Sequence, residues 1–154
     1  MAPPCSAPWR YPRAVPFGLE KLGGDTTNAS GEIDYRLARH AVLAEYRKGR
    51  LARHDVCDAH PELIRAARNV GEESSQQCPI CDAARVVHVT YVFGTRMPAS
   101  GRCVSTPKEM QRLSRGSAGR FAYVVEVCPS CCWNHLTRTF PLAPVRSPRS
   151  APSG

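Results

Sequence analysis

The 154-residue sequence has no apolar run approaching the roughly 20 residues of a membrane span. Its opening stretch, MAPPCSAPWRYPRAVPFG, carries prolines at 3, 4, 8, 12 and 16 and lacks the roughly 7–15 apolar residues of a signal peptide. Both absences point to a soluble protein of the cytoplasm, away from any membrane. Eight cysteines fall below the roughly 8–10% of residues that marks a disulfide scaffold. In a reducing compartment, paired Cys-x-x-Cys then suggests metal before disulfide. Acidic side chains are scarce in the second half. Residues 78–154 hold 10 basic but only 3 acidic groups (Asp82, Glu109 and Glu126), a net of +7, while residues 1–77 net +1. With hydrophobic residues at 42%, 14 prolines and 11 glycines, one large apolar core is also not to be expected. Something besides burial must then offset the ordering entropy of part of the chain.

Residues 1–31 are rich in Pro, Gly, Ser, Thr and Asn and read as a disordered arm. From there the pattern turns helical. In EIDYRLARHAVLAEYRKG, Ile33, Leu37, Ala41 and Ala44 recur at helical spacing, with Gly49 as the stop. DAHPELIRAARNVG signals a second helix: Pro61 suits its first position, Glu62 its acidic first turn and Gly71 its end. The two helices, joined by a turn near GRLARHDVC, predict a helical hairpin over 32–72. A polar stretch, EESSQQ, separates it from the second half of the chain.

VVHVTYVF (86–93) and FAYVVEV (121–127) have the β-branched and aromatic composition of strands, and WNHLTRTF (133–140) is a weaker third. Between the first two, Thr106, Pro107 and Glu109 match a capping box with proline at the first helical position. They place a short helix at about 106–115. The end, PLAPVRSPRSAPSG, reads as a solvated tail from 142.

Within this frame stand two Cys-Pro-x-Cys turns, CPIC (78–81) and CPSC (128–131), separated by 46 residues. Two such turns facing each other complete a tetrahedral set of four sulfurs, which Zn²⁺ accepts without ligand-field cost. Each adjoins a predicted strand. Cysteine turns at the ends of neighbouring strands resemble a zinc ribbon, here over about 78–141 with the short helix inserted. Cys78, Cys81, Cys128 and Cys131 are therefore the expected ligands of one structural zinc ion. Four thiolates leave no open position for water or substrate, which argues against metal-dependent catalysis.

The run CPSCCWNHL offers a third sulfur, Cys132, where ribbons often place glycine. Cys131 reproduces the two-residue spacing of CPIC, so Cys132 is read as a bystander. Cys5, Cys57 and Cys103 are read as ordinary thiols, with Cys103 the reserve ligand should its loop fold back. His88 and His135 are expected to be packed strand residues and His60 a residue of a helix entrance. Trp133 is expected to cover the metal site, with base stacking as the alternative. A thiol–disulfide enzyme is a weaker reading, because CPSC leads into a strand-like run and not a helix.

Zinc bound by four thiolates carries about −2, which leaves the second half strongly basic. Such density favours phosphate-rich partners, against the plainer reading of a solvated face. Arg112, Arg115 and Arg120, in and after the inserted helix, are the first choices for phosphate contact.

Taken together, IDYRLARHAVLAEYRKG, DVCDAHPELIRAARNVG, CPIC, HVTYVFG, GRCV and VVEVCPSCCWNHL resemble an uncharacterised family of small proteins from high-GC Gram-positive bacteria. The resemblance spans about 32–142 and implies a bacterial cytoplasmic setting and a compact helical-hairpin-plus-ribbon unit. It brings no activity with it. The expectation is an α+β protein: a helical hairpin on a three-stranded zinc ribbon, with disordered ends. Its expected role is that of a non-enzymatic adaptor on nucleic acid or a nucleic-acid-bound protein complex. The alternative is a protein–protein module without nucleic-acid contact. No small-molecule substrate is evident.

Overall fold

In a computed structural model of the chain, residues 31–115 and 119–142 are described. The expected arm and tail, apart from Gly31 and Leu142, lie outside them, as does Cys5. The elements run β1 (Ile33–Asp34), α1 (Arg36–Arg47), α2 (Arg53–Val56), α3 (Pro61–Val70), β2 (Glu72–Gln77), β3 (Arg85–Gly94), β4 (Arg102–Val104), α4 (Pro107–Ser114), β5 (Arg120–Val127) and β6 (Asn134–Pro141).

The class is α+β, as expected, but the sheet has six antiparallel strands where three were expected. Its order is β1-β6-β5-β3-β2, and β4 pairs with β3. The three predicted strands form its centre. EESSQQ, expected to be a linker, is strand β2. It pairs Glu72 with His88 and Gln77 with Arg85, and all its residues but one are exposed. Strand β4 pairs Cys103 with Tyr91. Edge strands like these are recruited by the backbone groups of the long β3, so their own composition carries little signal.

The first two long helices do not form the expected hairpin. α1 and α3 make their main contacts with strands and not with each other. Leu43 of α1 packs with Val86 and Trp133, whereas Ile64 and Ala67 of α3 pack with Val87, Val89 and Val127. Val86 and Val87 are consecutive strand residues, so the two helices cover opposite faces of the sheet. α4 joins α1's face through Leu113, which clusters with Val92 and Ala122. The stripe on each helix was legible; the surface that would cover it was not. At the end of α3 a Cβ on Gly71 would lie 2.1 Å from Val87 Cγ1, so only glycine lets the helix close down on β3.

α4 begins as its sequence predicts. The Thr106 hydroxyl accepts from the Glu109 N–H at 3.2 Å, and the Glu109 carboxylate accepts from the Ser105 N–H and from Arg102. These bonds, the Ser105 N–H first, hold that carboxyl below its ordinary pKa. The segment from Lys48 to His60 carries the chain from one sheet face to the other past the sheet end where both cysteine turns lie. The one-turn helix α2 sits in that crossing, with Val56 buried beside Cys78, Cys128 and Cys131.

Candidate metal centre

Each Cys-Pro-x-Cys turn is the connection of a hairpin: Cys78–Cys81 joins β2 to β3, and Cys128–Cys131 joins β5 to β6. Because β3 and β5 pair antiparallel with Val87 opposite Val127, the two turns meet at one end of the sheet. Their backbones match. The Cys78 N–H donates to the Ala84 carbonyl and the Cys128 N–H to the Trp133 carbonyl, each at 2.8 Å. The Asp82 N–H returns to the Cys78 carbonyl at 3.1 Å, and the Cys132 N–H to the Cys128 carbonyl at 3.0 Å. Asp82 and Cys132, each just past a second cysteine, both hold positive φ, 52° and 67°. This is the position where the sequence has Cys132 in place of the usual glycine.

The sulfurs of Cys78, Cys81, Cys128 and Cys131 all lie within 4.8 Å of one another. Cys78 Sγ is 3.5 Å from Cys131 Sγ, and Cys81 Sγ is 3.8 Å from Cys128 Sγ. A tetrahedron with Zn–S bonds of about 2.3 Å has sulfur–sulfur edges of about 3.8 Å, so the donor set fits such an ion. Backbone N–H groups already point at the sulfurs: Ile80 and Cys81 at Cys78, and Ser130 and Cys131 at Cys128. They would stabilise thiolates. Three of the four cysteines are buried and Cys81 is half-buried.

Burial and mutual hydrogen bonding favour the protonated form of three of the four cysteines, Cys78, Cys128 and Cys131. The Cys78 thiol is pushed up by its hydrogen bond with Cys131 and by burial. Burial raises that of Cys128. Cys131 is pushed up to about 12, first by a hydrogen bond with Cys57. A metal ion would displace those protons, so its affinity must fall as pH falls.

Cys57 is the site residue that sequence reasoning missed. It follows α2, and its sulfur lies 3.8 Å from that of Cys131. The hydrogen bond with Cys131 draws its thiol below the ordinary value against burial, and the Arg53 guanidinium adds to the lowering. Cys57 Sγ donates to Cys131 Sγ, and a thiolate at Cys131 would be the stronger acceptor of that bond. No spacing motif could have revealed this, since 74 positions separate the two residues. Cys103, the expected reserve, lies instead in β4 beside Tyr91 and outside the four-sulfur group. Cys132 is buried on the α3 side of the sheet, among Ala59, Ile64 and Val127, and is not in that group either.

Trp133 is fully buried in the cluster that holds Cys78, Cys128 and Cys131. It covers the cage, as expected, and its burial overturns the base-stacking alternative. Its indole N–H donates to Glu126 Oε1 at 2.7 Å. Arg39 of α1 grips the same buried carboxylate with Nε and Nη2, at 2.9–3.2 Å. His135 stacks on the indole at 6.0 Å, and burial lowers its pKa. His88 stands opposite Glu126 on β3, and His60 caps α3 by accepting from the Glu62 N–H.

A family described as "Family of unknown function (DUF5318)" matches residues 27–153. The chain belongs to this DUF5318 family. Its similar relatives include Uncharacterized protein Rv0049 of Mycobacterium tuberculosis and Uncharacterized protein Mb0050 of Mycobacterium bovis. Each is 38% identical over 122 residues, covering 77% of this chain and 89% of the relative. This agrees with the expected uncharacterised family of high-GC bacteria. No solved structure matches the chain. The DUF5318 match encloses both cysteine turns, Cys57, and the Arg39–Glu126–Trp133 contacts.

The three arginines expected to meet phosphate are not equivalent. Arg112 and Arg115 are exposed, on and just after α4, with Arg112 Nη2 4.0 Å from Glu109. Arg120 is half-buried and donates to the Leu113 carbonyl, which ties α4 to the start of β5, and to the Thr95 carbonyl just past β3. Among the described residues no helix is long and apolar enough to cross a membrane.

Proposed function

We propose that this DUF5318 protein is a non-enzymatic docking module whose fold is fastened by one structural Zn²⁺ held by Cys78, Cys81, Cys128 and Cys131. The observation that carries the reading is the convergence of four sulfurs from two matching hairpin turns at zinc-like spacing. In it, the two hairpins form the zinc-ribbon core and the metal joins them. When bound, the ion supplies cross-linking energy, about 10–16 kcal/mol in apparent binding terms for structural zinc in small peptides. Four thiolates close its coordination, so the site has no position for a substrate.

The partner in this reading is nucleic acid, or a protein complex bound to it. Support comes from the net +7 of residues 78–154 and from Lys108, Arg112 and Arg115, exposed together around α4. Binding of the zinc-loaded chain to single-stranded RNA and to duplex DNA, measured across salt concentrations, tests this. Affinity should fall steeply as salt rises, and replacing Arg112 and Arg115 with glutamate should weaken it. Absence of binding to either nucleic acid at low salt removes the nucleic-acid partner.

A protein partner is the second reading, favoured by the exposure of Leu37 on α1 at 71%. Capture of a protein that survives nuclease and high salt, and is lost on L37E, would select it over the first.

A further inference from the structure

Five sulfurs, not four, gather at the end of the sheet. Four come from the hairpin turns. The fifth, Cys57, arrives on the crossing segment and is held against the second turn from both sides. Val56 is buried in the cluster with Cys128 and Cys131, and the Ala59 N–H donates to the Cys132 carbonyl at 3.1 Å. Cys57 is half-buried, open enough for a small reagent to reach. A tetrahedral zinc ion has no use for a fifth sulfur. The cage is complete without it, yet Cys57 is in van der Waals contact with one of the ligands.

We propose that Cys57 makes the metal centre sensitive to oxidation by hydroperoxides, by forming a disulfide with Cys131 that opens the cage. This rests on the reading of the four cysteines as a metal centre. In the first step the Cys57 sulfur attacks the O–O bond of a hydroperoxide. The sulfur becomes a sulfenic acid, the thiol proton goes to the departing oxygen, and water or an alcohol leaves. In the second, the Cys131 thiolate attacks the Cys57 sulfur, the S–S bond forms and hydroxide departs. The two thiol sulfurs lose two electrons in all, and the peroxide takes both. Cys131 is then no longer a thiolate, and three ligands remain for the ion. The sulfurs need to approach from 3.8 Å to the roughly 2.05 Å of a disulfide, a shift that a side-chain rotation on the crossing segment can supply. Cys57 lies outside the four-sulfur group and can give up its proton and attack as thiolate without any metal–sulfur bond breaking, so attack begins there.

The test uses the full chain loaded with zinc and treated with hydrogen peroxide. Released metal is followed by a chromogenic chelator, and disulfides are mapped by mass spectrometry after alkylation. One linkage between the Cys57 and Cys131 peptides should appear for each ion released. C57S should slow release by about tenfold, because it removes the thiol where oxidation begins, held at contact distance from the Cys131 that resolves it. C103S, which alters a half-buried cysteine outside the cage, should release metal as the parent does. The proposal is overturned if C57S and the parent lose metal at equal rates. It is overturned equally if the mapped disulfides join only residues within the two turns, a result read on the unaltered chain whatever the variant's folding. A chain that carries no metal before oxidation overturns the cage itself, and is recognised at loading before any peroxide is added.

Discussion

The indole N–H of Trp133 and the guanidinium of Arg39 converge on one carboxylate, that of Glu126, whose side chain is only 2% exposed. Trp133 follows the second cysteine turn, Arg39 belongs to α1, and Glu126 lies in β5. The contact therefore fastens the first helix to the strand that leads into the metal centre. It also explains how a charge can be buried beside the cage: its oxygens are met by one cation and one neutral donor.

Arg39→Met should destabilise the zinc-loaded protein by about 3 kcal/mol, the lower end for a broken buried pair because Arg39 keeps some solvent. Glu126→Gln should cost less, since an amide oxygen still accepts from Trp133. The double variant should cost less than the two single losses together. Urea unfolding of the four proteins measures this cycle, and strict additivity would show that the pair is not coupled.

The positive φ of Asp82 gives a second prediction. Asp82→Val should lower stability by about 1–2 kcal/mol, because a β-branched side chain crowds the backbone in the left-handed region. Asp82→Gly should be neutral or slightly stabilising, with relieved strain set against greater freedom of the unfolded chain. Thermal melts of both variants, metal loaded, provide the comparison. Equal melting temperatures would mean that the turn does not require this conformation.

His135 gives a pH prediction whose sign is set by its burial. Its folded pKa is lowered from the ordinary 6.5, so below that value the unfolded chain binds more protons than the fold does. The stabilising contribution is present above 6.5 and is lost as pH falls through it. His135→Phe, which keeps a ring against Trp133, should make stability fall less steeply between about pH 7.5 and 5.5 than in the parent. Competition of protons for the cysteines acts on both proteins alike, so the difference in slope isolates the imidazole. Parallel profiles would contradict the assignment.

Legibility in the sequence depends on the range over which each signal acts. β3, β5 and α4 were legible because composition and capping are local: Thr106 and Glu109 meet in space because they are three residues apart. The four cage cysteines were legible for a related reason, since a two-residue spacing presets each turn. The polar β2 was not, because its strand character comes from the β3 edge beside it. Nor was the placement of α1 and α3 on opposite faces. Periodicity shows that a helix has an apolar side, and only the alternation of Val86 and Val87 decides which layer receives it. Cys57 belongs to the same class, its proximity to Cys131 being created by the crossing segment.

Native mass spectrometry of the purified full chain tests the central claim most directly, since metal content and compactness are read in one spectrum. The account predicts one zinc ion per chain in a narrow, low-charge distribution. Addition of a strong chelator should remove the ion and shift the chain to the broad, high-charge distribution of an unfolded polypeptide. A metal-free chain that keeps the compact distribution would contradict it.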